Sequence, residues 1–364
     1  MRIAVAGDWH SEVHEEVVAE AFEKLGHEVF RFPWHHYLKP GADVPFPRLR
    51  ALSGKVQNRL MAGPSIARIN KDFVQFMLSC SPEIVFVYRG THIARESLLA
   101  VKAASPRTVL VGYNNDNPFA EGHPRLLWRR FISAIPAYDL VLAYRYGNIA
   151  DFRRAGARRI ELLRSWFVPE RNRPIELTPA EKEHFGCDVV FVGHYEPDGR
   201  VEALEEVARQ GFDLKLYGPG YDWDPVIRKS RFLKHLAPVR LVWGDSYSKA
   251  LSGAKVALCF LSRLNRDTYT RRCFEIPATG TLLMSEFTDD LAGLFEEDRE
   301  AVFFRSPREL IEKLNLYVRN ERLRCDVARR GYERVRRDGH DVVSRMGAVL
   351  DWIAEGAGTG AATI

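Results

Sequence analysis

Short apolar runs recur along the chain, and each is followed by a stretch in which apolar residues return every three or four positions. Runs of the first kind predict buried strands and stretches of the second predict amphipathic helices. Residues 2–6 form the first strand. A helix over about 12–25 follows, with Val13, Val17, Val18, Ala21, Phe22 and Leu25 on one stripe, then a stop at Gly26 and a strand at 28–32. Further strands are predicted at 83–88, 108–113, 138–143 and 159–163, separated by helices at 93–103, 126–134 and 149–155.

A second alternating series begins at Cys187. It predicts a strand at 187–193, a helix opened by Arg200, a strand at 212–217, a helix after Asp224-Pro225, a helix at 246–254 and a strand at 256–260. A short helix from about Thr270, a strand at 281–284, a helix at 289–295 and a strand at 301–305 come next, followed by helices at 310–318, 321–337 and 341–354. Such alternation means parallel sheets covered on both faces, an α/β protein of two Rossmann-like halves. Their strand C-termini are expected to face a shared central cleft, where open parallel sheets bind ligands. The expected division is 1–172 for the N-terminal domain, a polar, proline-bearing linker at 173–186, and 187–339 for the C-terminal domain. A C-terminal helix at 340–355 and a frayed tail at 356–364 complete it.

The interval 33–81 breaks the rhythm. Prolines give way to a helical stretch carrying Arg48, Arg50, Lys55, Arg59, Arg68 and Lys71 before the first acidic residue, Asp72. Interspersed Leu49, Leu52, Val56, Leu60 and Met61 make one amphipathic basic face, suited to anionic lipid or a phosphorylated acceptor, or simply a solvated helix face. Arg125, Trp128, Arg129 and Arg130 point the same way.

Composition narrows the class without changing it. The 364 residues suffice for two domains, and 46% hydrophobic with 28% charged residues is ordinary for a globular protein. No apolar run reaches the length of a membrane span and no signal-peptide pattern opens the chain, so a cytoplasmic protein is expected. The five cysteines lie far apart without a Cys-x-x-Cys pair, as expected of reduced thiols. A net charge of +5, dispersed, fits an anionic substrate or membrane surface and not a nucleic acid.

The stretch Asp267-Thr-Tyr-Thr-Arg-Arg-Cys-Phe-Glu275-Ile-Pro-Ala-Thr-Gly280 carries the chemistry. Arg271 and Arg272 in a first helical turn oppose the helix dipole unless an anion sits there, and a phosphate would remove that penalty. Glu275, one turn on, is placed to accept hydrogen bonds from a ribose diol. In the N-terminal half, strand ends offer Asp8 and His10, then Arg89 and His92, then Asp116. A carboxylate or His among them could act as base, and for each Asp a turn-capping role is the alternative.

From about Cys187 to Ile353 the sequence resembles the group 1 glycosyltransferases of the spore-maturation (CgeB-like) type. The likeness rests on Asp188-Val-Val-Phe-Val-Gly193, on Thr270 to Gly280, on Leu294-Phe-Glu-Glu, on Ser306-Pro-Arg-Glu-Leu-Ile311 and on the segment 331–340. The resemblance implies a GT-B architecture of two Rossmann-like domains, with the C-terminal helix crossing back to the first. It implies a nucleotide-diphosphate sugar held by the C-terminal domain and a sugar passed to a glycan or lipid-linked acceptor in envelope polysaccharide or glycoconjugate synthesis.

Many retaining members carry a Glu-x7-Glu motif. Its matching positions here are Asp267 and Glu275, so the first acidic residue departs from the pattern. Gly193 and Arg200 are placed to serve the diphosphate, and Tyr217 with Gly218 to line the base pocket or to form a structural turn. Similar retaining enzymes set a His near the donor phosphate, the place Arg89 and His92 would take.

Asp222-Trp-Asp224 matches a metal motif of a different fold superficially. Asp224 before Pro225 reads as a helix cap, and no metal or other cofactor is expected. Three rivals keep the same architecture: a nucleotide-sugar 2-epimerase, a non-catalytic nucleotide-sugar-binding protein, and a phosphorylase, for which no lysine-anchored cofactor site is evident.

Overall fold

The computed structural model describes residues 1–9, 13–39 and 47–359. Its chain divides into two compact units: Met1–Arg164 with the segment from Val342 onward, and Ser165–Asp341.

The first unit runs β1 (Arg2–Gly7), α1 (Glu15–Lys24), β2 (Glu28–Pro33), α2 (Pro47–Leu60), α3 (Pro64–Cys80), β3 (Ile84–Tyr88) and α4 (Arg95–Ala104), then β4 (Val109–Asn114), α5 (Arg125–Ala134), β5 (Leu140–Ala143), α6 (Gly147–Arg154) and β6 (Ile160–Leu162). The strands form one parallel sheet in the order β2-β1-β3-β4-β5-β6. The continuous apolar runs at 3–6 and 84–87 are fully buried, as a strand covered on both faces requires.

The helical stretch of the basic interval is two helices, α2 and α3. Gly63 at φ +122 breaks it, a conformation that residues with a Cβ rarely adopt. α3 turns Ile66, Ile69, Phe73 and Met77 into the core, and its Arg68 pairs with Asp72 at 3.4 Å. The expected single basic face is thus confined to α2.

The second unit runs α7 (Pro179–Phe185), β7 (Cys187–Val192), α8 (Arg200–Arg209), β8 (Leu214–Tyr217), α9 (Gly220–Ile227), α10 (Asp245–Ser252), β9 (Ala254–Cys259) and α11 (Arg272–Ala278), then β10 (Leu282–Glu286), α12 (Asp289–Leu294), β11 (Val302–Phe304), α13 (Pro307–Arg319) and α14 (Glu321–Arg337). Its parallel sheet has the order β11-β10-β9-β7-β8. From Val342 the chain returns to the first unit as α15 (Val342–Thr359), which packs on α1. Among the described residues no helix is long and apolar enough to cross a membrane.

Two segments differ from expectation for local reasons. The 173–186 stretch contains α7, opened by a capping box in which Thr178 takes the Glu181 N–H and Glu181 takes the Thr178 N–H. α9 begins at Gly220, so Asp224 lies inside the helix and does not cap it; its carboxylate accepts the Val239 N–H at 2.8 Å.

Candidate functional site

In the second unit the ends of β7, β8 and β9 bring the chemistry together. Gly193 leaves β7 with its N–H donated to the Tyr217 carbonyl at 2.9 Å, and its own carbonyl takes the Trp223 indole N–H at 2.8 Å. Gly218 must be glycine, because a Cβ there would collide with the Gly193 carbonyl oxygen and approach the Trp223 ring to 2.8 Å. A Cβ on Gly193 would lie 3.2 Å from Cζ of Arg272 and 3.3 Å from its Nη1. The Arg272 guanidinium is therefore laid against a bare stretch of backbone at the C-terminal end of the sheet.

Arg272 is the unusual group of this unit. Its Nε is shielded from solvent and has no hydrogen-bond partner among the described residues. Burial opposes its charge, but Cys259, Tyr247 and Glu275 nearby favour it, and the net effect raises its pKa further. A half-exposed guanidinium whose Nε is unused leaves room for an anionic ligand.

Beside it, Arg271 Nε meets Glu275 Oε1 at 3.1 Å, and the Tyr247 hydroxyl donates to Glu275 Oε2 at 2.7 Å. Glu275 is 7% exposed. Burial and the neighbouring carboxylate push the Tyr247 phenol well up, so it stays a donor. α11 is a single short helix with Arg271 at its N-cap, so the cations of this site are side chains more than a helix end. Asp267 lies on the loop before it, with its N–H donated to the Ser262 carbonyl at 2.9 Å. The thiols of Cys259 and Cys273 touch at 3.7 Å beneath; Cys273 donating to Cys259 lowers the latter's pKa, and burial raises that of Cys273.

Two expected donor-side residues are otherwise engaged. Arg200, 2% exposed, gives its Nε to Asp198 Oδ1 at 2.7 Å and Nη1 to the His194 carbonyl at 2.6 Å. Its charge is spent inside the 194–200 loop, which it holds in shape. Arg200→Ala is accordingly expected to cost about 3–5 kcal/mol of stability, the scale of breaking a buried pair, with nucleotide affinity of the folded protein within threefold of wild type. Denaturant titration alongside calorimetry checks it; a large affinity loss at unchanged stability would return Arg200 to the diphosphate. Tyr217 packs with Phe185, Ile175 and Val242 in a small apolar cluster, its phenol pushed up to about 12 by burial.

In the first unit the ends of β1, β3 and β4 carry the other candidates. Asp8 donates its N–H to Glu15 Oε1 at 2.9 Å, and its carbonyl accepts from His35 Nδ1 at 2.6 Å. His10 lies outside the described residues. Arg89 sits at φ +62, a strained position for a residue with a Cβ, and pairs with Asp116 at 2.7 Å while lying over the Trp128 ring at 5.4 Å. Asp116 is thereby tied to a guanidinium, and its N–H is donated to Asn114 Oδ1 at 3.0 Å. Asn114 Nδ2, Asn115 Oδ1, Arg89 Nε and Trp128 Nε1 are shielded and unpartnered among the described residues. The sequence signal for these amides is the polar run Asn114-Asn-Asp-Asn117 at the end of a strand.

His92 is 5% exposed with both ring nitrogens bonded, Nδ1 to Thr91 Oγ1 and Nε2 to Asn58 Oδ1, each at 2.9 Å. Burial depresses its pKa to about 4, so the ring is neutral at physiological pH. A catalytic role for it would require breaking one of those bonds. The depressed value also sets a pH dependence. Below the ordinary 6.5 the unfolded chain takes up a proton that the folded one refuses, so stability falls as pH drops from 6.5 to about 4, by about 3 kcal/mol in total from this group. Denaturant titrations at pH 7, 5.5 and 4.5 should show a shallower slope in His92→Gln; an equal slope would contradict this assignment.

Asp222 and Asp224 do not converge: Asp222 faces His194 at 3.4 Å and Asp224 pairs with Arg228 at 3.1 Å. Among the described residues no group of three His, Cys, Asp or Glu could hold a metal ion.

Comparison with solved structures identifies the fold. HepE of Anabaena in complex with UDP-glucose superposes at a TM-score of 0.66 with 12% identity, covering 98% of this chain and 100% of that one. Sucrose-phosphate synthase from Thermosynechococcus elongatus does so at 0.68 with 13% identity, covering 98% and 99%. A glycosyltransferase from Rickettsia africae gives 0.64 at 11% identity, covering 98% of each chain.

The fold is that of the GT-B glycosyltransferases.

Residues 200–351 in addition match the family model described as glycosyl transferase-like. That span includes Arg272, Glu275 and Tyr247, so the sequence pattern and the residues assembled above coincide. No curated protein matches the chain in sequence.

Proposed function

We propose that this GT-B chain is a glycosyltransferase that takes a sugar from a nucleotide-diphosphate donor held by its second unit. The observation that carries the reading is the Arg272 guanidinium, laid on Gly193 with its shielded Nε unused, beside the Arg271–Glu275–Tyr247 network. A diphosphate would take Arg272 and a ribose diol would share Glu275. Supporting this is the family match over 200–351 and the UDP-glucose complex of HepE, a protein of the same fold. In this reading the leaving diphosphate is stabilised by arginine and not by a metal ion.

The acceptor side is assigned to the first unit, with Asp8, Arg89 and Asp116 as its polar groups and the Asn114 and Asn115 amides added by the structure. The acceptor is a glycan or a lipid-linked sugar of envelope polysaccharide or glycoconjugate synthesis, the enzyme works in the cytoplasm, and its sequence pattern resembles that of the spore-maturation (CgeB-like) group.

Calorimetric titration with UDP, GDP, dTDP and ADP, followed by incubation of the best binder's sugar conjugates without acceptor, tests the reading. Selective micromolar binding with slow sugar release is expected. Acceptor-free interconversion of the sugar would mean an epimerase, and failure to bind any nucleotide would remove the donor site.

A further inference from the structure

We propose that a face of the first unit built from α2 and α5 docks on an anionic lipid surface. On α2 the side chains of Leu52, Val56 and Leu60, spaced four apart and so on one stripe, are 59%, 48% and 50% exposed. Lys55 and Arg59, one step round the helix, are exposed as well. α2 packs on α5, and Arg130 of α5 donates its Nε to the Met61 carbonyl just past the end of α2, at 2.9 Å. α5 adds Leu126, 44% exposed, between exposed Arg125 and Arg129. Two helices tied together thus present one surface in which aliphatic side chains alternate with cations.

The inner side of α2 is already committed, since a Cβ on Gly54 would run into the Leu38 carbonyl. The stripe that remains outside is apolar, and leaving such a stripe in water is unfavourable unless something covers it. Charge identifies the cover. The sequence holds no acidic residue from Val44 to Lys71, and two exposed acids lie near α5, Glu121 just before it and Glu96 of α4 near Arg130, against the four exposed cations Lys55, Arg59, Arg125 and Arg129. A second copy seated on this face by a two-fold axis would set Lys55, Arg59, Arg125 and Arg129 against their own counterparts, which disfavours a dimer. A nucleic acid would satisfy the cations and leave the leucines wet. An anionic bilayer interface satisfies both, because aliphatic side chains enter the acyl boundary while Lys and Arg meet phosphate headgroups. A lipid-linked acceptor would give the surface its use, and to that extent the idea rests on the transferase reading; lipid binding itself does not.

Flotation of the full-length protein with phosphatidylcholine vesicles, with and without phosphatidylglycerol, is the test. Binding is expected only when phosphatidylglycerol is present, weakening with salt. Leu52→Gln/Val56→Gln/Leu60→Gln and Lys55→Gln/Arg59→Gln/Arg125→Gln/Arg129→Gln should each lower partitioning at least tenfold, with UDP affinity by calorimetry unchanged. Should the triple variant lose its helical circular dichroism, Leu60→Gln/Leu126→Gln carries the same expectation. Equal binding to neutral vesicles, wild-type partitioning of the variants, or a dimer in light scattering that the glutamine variants dissolve would each overturn the proposal. Wild-type protein that floats with anionic vesicles yet binds no nucleotide would support this surface and remove the donor reading alone.

Discussion

Arg272→Met is expected to lower nucleotide-diphosphate affinity by a hundredfold or more while leaving the unfolding midpoint unchanged or slightly higher. The two halves of that expectation have one cause. In the free protein the guanidinium is held against Gly193 with its charge favoured by its neighbours but its Nε shielded and unpartnered, so the cost that falls on it is that of one unsatisfied donor. Methionine fills much of the same volume without that cost. In the nucleotide complex the same group would make charge-assisted hydrogen bonds to phosphate oxygens, and losing two of them at about 1.5 kcal/mol or more each accounts for about 3 kcal/mol, somewhat over a hundredfold. Calorimetry with UDP and thermal denaturation, run on one preparation, read both halves. A variant that unfolds early but binds normally would show Arg272 to be a scaffold residue.

Glu275→Ala should weaken nucleotide binding more than tenfold and also destabilise the fold, by about 1–3 kcal/mol. The stability term arises because the half-buried Tyr247 hydroxyl loses the oxygen it donates to at 2.7 Å, leaving a poorly satisfied polar group. The affinity term, about 1.4 kcal/mol or more, is the loss of an acceptor for the ribose diol. Glu275→Gln separates the two. Its amide oxygen can still accept from Tyr247, so that hydroxyl stays satisfied and less stability is lost than in the alanine variant, but the amide nitrogen that replaces the second carboxylate oxygen can only donate, so an acceptor for the diol is gone and affinity still falls. Wild-type affinity in both variants would take Glu275 out of the nucleotide site. The two substitutions together distinguish a cation that is tolerated for its ligand from a carboxylate that also holds the protein together.

The alternation of apolar runs with amphipathic stretches sufficed to place the strands of both units within a residue or two, because the central strands, buried on both faces, leave continuous apolar runs and the half-exposed edge strands β2 and β6 fall in the same alternating rhythm. It failed where the signal was local and chemical instead of periodic. α7 lay inside a stretch read as linker, although Thr178-Pro-Ala-Glu181 is a capping box in the plain sequence. The basic part of the 33–81 interval carries no periodic sign of where it divides; Gly63, whose positive φ separates α2 from α3, is the local one. Arg200 at a helix start reads as a phosphate ligand, and in the structure its guanidinium is bonded to Asp198 and the His194 carbonyl. Asp198, two residues before it, was the available sign that its charge would be satisfied at home.

By itself, the sequence determined what is set by neighbours along the chain. Periodicity defined the α/β elements and their two series, and the four-residue spacing of Arg271 and Glu275 put both on one side of a turn, where they pair. The tertiary structure decided what depends on groups far apart in sequence: that Gly193 is bare backbone under the Arg272 guanidinium, that Tyr247 from α10 holds Glu275, that Asn58 of α2 occupies a nitrogen of His92, and that Leu52, Val56 and Leu60 face water. The physical reason is that hydrogen bonding and burial are properties of the assembled environment. A residue type and its spacing specify which bonds a side chain is able to make, and only the packed chain specifies which of them are already taken.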